Sequence, residues 1–291
     1  MNWTMDRRLL ASNGRVANEK LRGKVTAGRF VASTRYMVVA SISPILPAPD
    51  PTGLRDRELA FGETFDCLSI ADGFAFGSAA RDGYVGYVQA DQISKNFLKP
   101  THRVVAQSYR RHTPALKASS PPYHMPIGAR VAVREVYHDH CDWAEIDLPT
   151  ADSTVNNGCA YMPMQHLQAL VPAAYDAVSE AERYLGVPYL WAGNSGFGID
   201  CSGLVQAALL ACGKSCPGDS DQQETDFPNA SGPYQPGDLL FWEGHVALVS
   251  NPSTLIHASA HHMSVIHEPI IAAIDRIQSQ GGGPLTAHKR P

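Results

Sequence analysis

Gly198-Ile199-Asp200-Cys201-Ser202-Gly203-Leu204-Val205 sets one thiol at the point where a helix should begin. Residues 202–212 are apolar on nearly every side, through Leu204, Val205, Ala207, Ala208, Leu209, Leu210 and Ala211, and Gly213 follows as a stop. That pattern predicts a buried helix with Cys201 in its first turn. First-turn N–H groups have no partner within the helix, and with the helix dipole they favour thiolate over thiol. They can also hold an oxyanion, and such donors typically lower a barrier by about 3 to 4 kcal/mol.

Downstream, Pro236-Gly237-Asp238 reads as a turn, 239–242 as a short apolar strand, Glu243-Gly244 as a second turn and 246–249 as another strand. His245 therefore stands at a strand end, in position to act as a base. His257 lies in a third such run, 254–258. Its ring could bond the nitrogen of His245 that does not face the thiol, fixing the tautomer and stabilising the imidazolium. A cysteine on a helix, followed by a histidine and a third polar residue on later strands, is similar to the chain order of papain-like thiol hydrolases.

Four motifs narrow the resemblance: Tyr184-Leu185-Gly186-Val187-Pro188-Tyr189-Leu190-Trp191-Ala192-Gly193-Asn194, Asp200-Cys201-Ser202-Gly203, Gly237-Asp238-Leu239-Leu240-Phe241 and Gly244-His245-Val246. Together they resemble the NlpC-type cysteine peptidases, enzymes that cut peptides derived from bacterial cell walls. The resemblance covers residues 172–291. It implies Cys201 as nucleophile, His245 as base and His257 as third member, with Tyr189 beside the oxyanion site. Ala192 departs from the glycine common there, which bears on the local turn.

Metal readings of the same residues are weaker. Cys212 and Cys216 could form half a site, but no second pair at finger spacing accompanies them. His245 and His257 with one of His261, His262 or His267, and Glu243 as base, match no familiar helical zinc motif. No metal or organic cofactor is expected.

The 291 residues, 44% hydrophobic with a net charge of −4, suit an ordinary soluble protein of two or three domains. Arg7-Arg8 and Arg110-Arg111 are isolated pairs, so no nucleic-acid partner is expected. Residues 1–22 carry charges and lack the apolar stretch of a signal peptide, and 36–47 is too short and broken to span a membrane. With a nucleophilic thiol and six scattered cysteines, a cytoplasmic location is expected, with no membrane partner and no obligate protein partner evident.

Before the catalytic region, short strands alternate with turns. Runs at 36–41, 63–67, 74–77 and 84–88 are separated by Pro49-Asp50-Pro51-Thr52-Gly53, Ala71-Asp72-Gly73 and Arg81-Asp82-Gly83. Looser counterparts lie at 104–107, 129–136, 143–147 and 160–163, with 114–122 as a surface loop. The ends of the two stretches correspond, 86–93 with 160–167, so two divergent copies of one barrel are expected. The pattern resembles bacterial SH3-like domains, which often precede NlpC-type domains. The expected fold class is α+β: an extension over 1–33, SH3-like barrels over 34–98 and 99–171, and a papain-like domain over 172–291.

For chains of this build, the resemblance implies that the first barrel closes one end of the cleft and so selects a peptide terminus. The substrate implied is a small murein peptide with a free N-terminal L-Ala, cut after γ-D-glutamate and before a diamino acid. The matching positions are Glu63 and Tyr84 from the barrel and Asp200, Ser202, Asp219 and Ser220 from the catalytic domain. Carboxylates and a phenol suit an ammonium group, and hydroxyls suit a substrate carboxylate. Two other readings stand beside this one: a wall-peptide binding protein with an inactive domain, and a thiol amidase or acyltransferase acting on another amide.

Overall fold

Short apolar strands divided by glycine turns build the first part of the chain, and helices laid against a sheet build the rest. The computed structural model describes residues 6–117, 121–149 and 158–291. It separates into two compact units, Met1–Ala169 and Leu170–Pro291.

In the first unit, β1 (Val16–Asn18) and β2 (Arg29–Val31) pair in parallel. After them come β3 (Thr34–Val38), β4 (Ile42–Ile45), β5 (Arg57–Ala60), β6 (Thr64–Ala71), β7 (Phe74–Ala79), β8 (Val85–Gln89) and β9 (Ile93–Ser94). Five of these form an antiparallel sheet in the order β8-β7-β6-β3-β9, while β4 and β5 form a separate hairpin. The β6–β7 turn needs two left-handed residues, and Asp72 (φ 52°) with Gly73 (φ 78°) supplies them. Tyr36, Val38, Ile45, Leu59, Phe65 and Val88 close the core.

The same design then recurs. Strands β10 (His102–Val104), β11 (Ser108–Arg110), β12 (Tyr123–Met125), β13 (Arg130–Asp139), β14 (Cys141–Asp147), β15 (Cys159–Pro163) and β16 (Leu167–Ala169) follow. Their sheet order is β15-β14-β13-β10-β16, again with a separate hairpin, β11-β12. Each sheet reaches its last strand through a single 3-10 turn, Ala90–Gln92 in one and Met164–His166 in the other. This is the correspondence between 86–93 and 160–167 that the sequence carries. Of the expected strand at 104–107 only Val104 lies in one, as the end of β10, and 105–107 connect it to β11 in a different sheet. The expected loop at 114–122 lies between β11 and β12, and its residues 118–120 fall outside the described residues.

Residues 16–31, for which the sequence suggests no role, supply the β1–β2 pair. Val16 packs with Leu68, Phe76 and Val85 in a small second cluster on the sheet.

The second unit holds α1 (Ala177–Glu182), the short pair β17 (Asn194–Ser195) and β18 (Gly198–Ile199), α2 (Cys201–Ala211) and α3 (Ser220–Asp226). Next come β19 (Leu239–Trp242), β20 (His245–Asn251), β21 (Thr254–Ser259), β22 (Ser264–Pro269), α4 (Ile270–Ser279) and β23 (Ala287–Lys289). The sheet order is β22-β21-β20-β19-β23. Helix α2 packs on β20 and β21, and α4 covers a cluster of Leu240, Trp242, Val249 and Leu255 with Ile270, Ala273 and Ile277. Asp238, 1% exposed, secures the sheet edge. It accepts from Arg290 Nε and Nη2 at 2.6 and 2.8 Å and lies 2.6 Å from His288 Nε2.

Candidate active site

The start of α2 is built by Asp200, which sits in extended backbone and caps the helix. Its Oδ1 accepts from Gly203 N–H at 2.7 Å and from the Ser202 hydroxyl at 3.2 Å, while Oδ2 accepts from Ala192 N–H at 3.0 Å. One buried carboxylate thus ties the helix tip to the preceding loop. Ala192 meets that bond in the left-handed region, at φ 62°, a shape that costs an L-residue roughly 1 to 2 kcal/mol. Gly203 permits the closeness of loop and helix, since a Cβ there would lie 2.5 Å from Gly193 O.

Cys201 is the first residue of α2, with its Sγ 4.0 Å from Gly244 O. Gly244 immediately precedes His245, the first residue of β20, so the thiol lies against the backbone that leads into the histidine, at one end of the sheet. His245 Nε2 lies 2.9 Å from His257 Nδ1, and the rings stand edge to face at 68°. Trp242 packs on the other side of His245, its ring centroid 5.7 Å away. Because Nε2 of His245 is engaged by His257, Nδ1 is the nitrogen left for the thiol.

His257 is 1% exposed. Its Nε2 lies 3.1 Å from Glu268 Oε2, in close contact without the alignment of a full hydrogen bond. Arg276 grips the same carboxylate with Nε at 2.9 Å and Nη2 at 2.7 Å. Four side chains therefore run in series: His245, His257, Glu268 and Arg276. Burial, then repulsion from His257 and Arg276, pushes His245 down to about 3. Burial also lowers His257, against the pull of Glu268. The hydrogen bonds from Arg276 hold Glu268 well below the usual carboxylate range. At neutral pH the two rings are thus uncharged beside an ionised carboxylate, and an unprotonated His245 can accept the thiol proton.

The other expected residues of this unit fall close by. Tyr189 donates its N–H to Met263 O at 3.0 Å and bridges Ile199, two residues before Cys201. Ser202 is buried with its hydroxyl on Asp200, and its carbonyl accepts from Gln223 Nε2 at 3.0 Å. Asp219 caps α3, with Gln222 Oε1 3.4 Å from its N–H, and Ser220 opens that helix.

Glu63 and Tyr84 belong to the first unit. Tyr84 is buried in the first core. Glu63 is buried too: Arg81 Nη1 reaches both its oxygens at 2.9 and 2.7 Å, and Ala60 N–H donates to Oε2 at 2.8 Å. Arg35, Arg81 and Arg130 line the small cavity beside it, so an ammonium there would compete with guanidinium groups for the carboxylate.

Sequence reasoning missed Glu268 and Arg276. The signal lies in sheet register: Glu268 pairs with Leu255, which puts it diagonal to His257 on the same face. That pairing is set by the fold. Buried amides were missed as well: Asn194 Nδ2 donates to Gln206 Oε1 at 3.1 Å, and Gln206 Nε2 to Cys216 O at 3.0 Å, fastening α2 on both sides.

The NlpC/P60 family model matches residues 186–278, a span that contains Cys201, both histidines and Glu268. The chain carries an NlpC/P60 domain. A bacterial dipeptidyl-peptidase SH3 domain matches residues 45–93 ahead of it. The chain is 26% identical over 218 residues to a gamma-D-glutamyl-L-lysine dipeptidyl-peptidase of Bacillus cereus, an alignment covering 63% of this chain and 59% of that one. To the protein of the same name in Bacillus subtilis it is 33% identical over 124 residues, 37% of this chain and 42% of the other. The chain thus spans roughly half the length of these relatives. In fold it is similar to the crystal structure of an NlpC/P60 family protein from Bacillus cereus, with TM-score 0.71 and 18% identity over 88% of this chain and 99% of the other. The chain therefore combines an NlpC/P60 domain of papain-like fold with an SH3-like domain.

Proposed function

We propose that the chain is a cysteine peptidase that hydrolyses the bond between γ-D-glutamate and a diamino acid in cell-wall peptides with a free N-terminal L-Ala. The observation that carries this reading is the His245–His257 contact of 2.9 Å at the strand end beside Cys201. The names of the Bacillus relatives support the bond chosen.

In this reading Cys201 loses its proton to His245 Nδ1 and attacks the γ-glutamyl carbonyl. First-turn N–H groups of α2, with Tyr189 alongside, face the oxyanion. The imidazolium protonates the leaving amine, and a thioester remains on Cys201. Water, deprotonated by His245, then releases the dipeptide. Asp200, Ser202, Asp219 and Ser220 shape the pocket edge: the Ser202 hydroxyl is spent on Asp200, and Ser220 is the hydroxyl offered to a substrate carboxylate. No step calls on a metal or cofactor.

The repeated strand order supports reading 99–171 as a second SH3-like barrel after the one at 34–98, with the catalytic domain over 172–291. A nucleophilic thiol suits a reducing compartment, so we propose a cytoplasmic location, which cell fractionation would check.

The deciding experiment uses L-Ala-γ-D-Glu-diaminopimelate, the corresponding lysine peptide, an N-acetylated form and intact wall, with products read by mass spectrometry. Wild type should release L-Ala-γ-D-Glu from the free peptides, and Cys201→Ala should release none while retaining its circular dichroism. Full turnover by Cys201→Ala would overturn the assignment. Equal cleavage of the N-acetylated form would remove the selectivity for a free amino end.

A further inference from the structure

We propose that Glu268, clamped by Arg276, is a positioning residue that fixes the tautomers of both histidines and leaves Nδ1 of His245 as a bare lone pair for the thiol. The inference rests on the reading of Cys201 and His245 as the reacting pair and adds what holds the base in working order.

The argument is one of donors and acceptors along a line. A neutral imidazole has one N–H and one lone pair, so the 2.9 Å contact between His245 Nε2 and His257 Nδ1 allows two arrangements. In the first, His257 Nδ1 carries the proton and donates to His245. His245 then carries its own proton on Nδ1, toward the thiol, and cannot act as a base. His257 would also turn the bare lone pair of Nε2 toward Glu268 Oε2 at 3.1 Å, setting acceptor against acceptor in a buried place.

In the second arrangement His257 Nε2 carries its proton beside the carboxylate at 3.1 Å, His257 Nδ1 accepts from His245 Nε2–H, and His245 Nδ1 is free. The negative charge of Glu268 selects this one. Arg276 contributes by holding both carboxylate oxygens, at 2.9 and 2.7 Å, so that the charge stays in place and one oxygen stays aimed at His257. The charged and titratable groups acting on His257 are then Glu268 on β22, Arg276 on α4, His245 on β20 and, at longer range, His262.

Long-range 1H–15N correlation spectra of the labelled full-length chain at pH 8 read tautomers directly. Both His245 and His257 should appear as the Nε2–H form in the wild type. Glu268→Ala should move a large share of each ring to the Nδ1–H form. It should also lower kcat roughly 10- to 100-fold with KM nearly unchanged, and Glu268→Asp should recover part of both.

An Nδ1–H signal for either ring in the wild type would overturn the proposal, whether or not the variants fold. So would wild-type tautomers in a folded Glu268→Ala. The spectra need no substrate, so an inactive wild type would sink the peptidase reading while leaving this readout intact.

Discussion

Ala192 is held where most side chains resist standing, at φ 62°, because its N–H must reach Asp200 at the start of α2. Ala192→Gly should relieve that strain, and after the entropy glycine loses on folding the net gain should be about 0.5 to 1 kcal/mol. Thermal unfolding of the pair checks this, and a lower midpoint for the glycine variant would contradict it. The two buried histidines set a pH response. Unfolded, each takes up a proton near 6.5; folded, His257 is lowered and His245 waits until about 3. Protons therefore bind the unfolded chain more readily, and stability should be full above about pH 6.5 and fall steadily below it. Melting residues 170–291 at pH 8, 6.5 and 5 should give descending midpoints, and His245→Gln with His257→Gln should flatten the trend. At this scale the sequence reads well where one residue type suffices, as with Cys201 before an apolar helix. It reads poorly where a role needs two strands in register, as with Glu268 and His257.

Helix α2 and the strand β19 that follows were legible because each is apolar almost throughout and ends at a glycine or a turn. The capping role of Asp200 was legible too, since a carboxylate one residue before a helix has few other uses. What the sequence conceals is how the sheet is finished. Strand β23, at 287–289, is neither apolar nor regular, yet it pairs with β19 and carries His288 toward Asp238. Burial tends to raise the Asp238 carboxyl, but its bonds to Arg290 and His288 outweigh this and leave it at about 2. Its contribution is present in full above the unfolded carboxyl value near 3.8 and is lost as pH falls through about 2. Asp238→Asn should cost about 2 kcal/mol at neutral pH, read by denaturant unfolding. A variant that matches wild type would show that the edge is held by backbone pairing alone. Within α2, Gly203→Ala would press a methyl group onto Gly193 O. It should lower kcat by shifting Cys201 even though alanine favours helix, and an unchanged kcat would show that the loop yields freely.

Each unit carries its own apolar core, around Phe65 and Met162 in the first and Leu240 in the second. Residues 170–291 expressed alone should therefore fold and melt in one cooperative step, which calorimetry would show; a broad, featureless trace would contradict it. The alternation of strands and turns made the strand content of the first unit legible, and the matched segments at 86–93 and 160–167 both run through a 3-10 turn into the last strand of a five-stranded sheet. The hairpins β4–β5 and β11–β12 stayed hidden because Pro44 interrupts one and a long connection separates the strands of the other. Tandem neighbours with identical strand order face a hazard while they emerge from the ribosome, because an edge strand from one can lodge in the other. Their interiors oppose such exchange. By register Phe65, opposite Tyr36, fills in one interior the place that the smaller Val131, opposite His102, fills in the other. That difference in size works against a strand of one settling in the sheet of its neighbour.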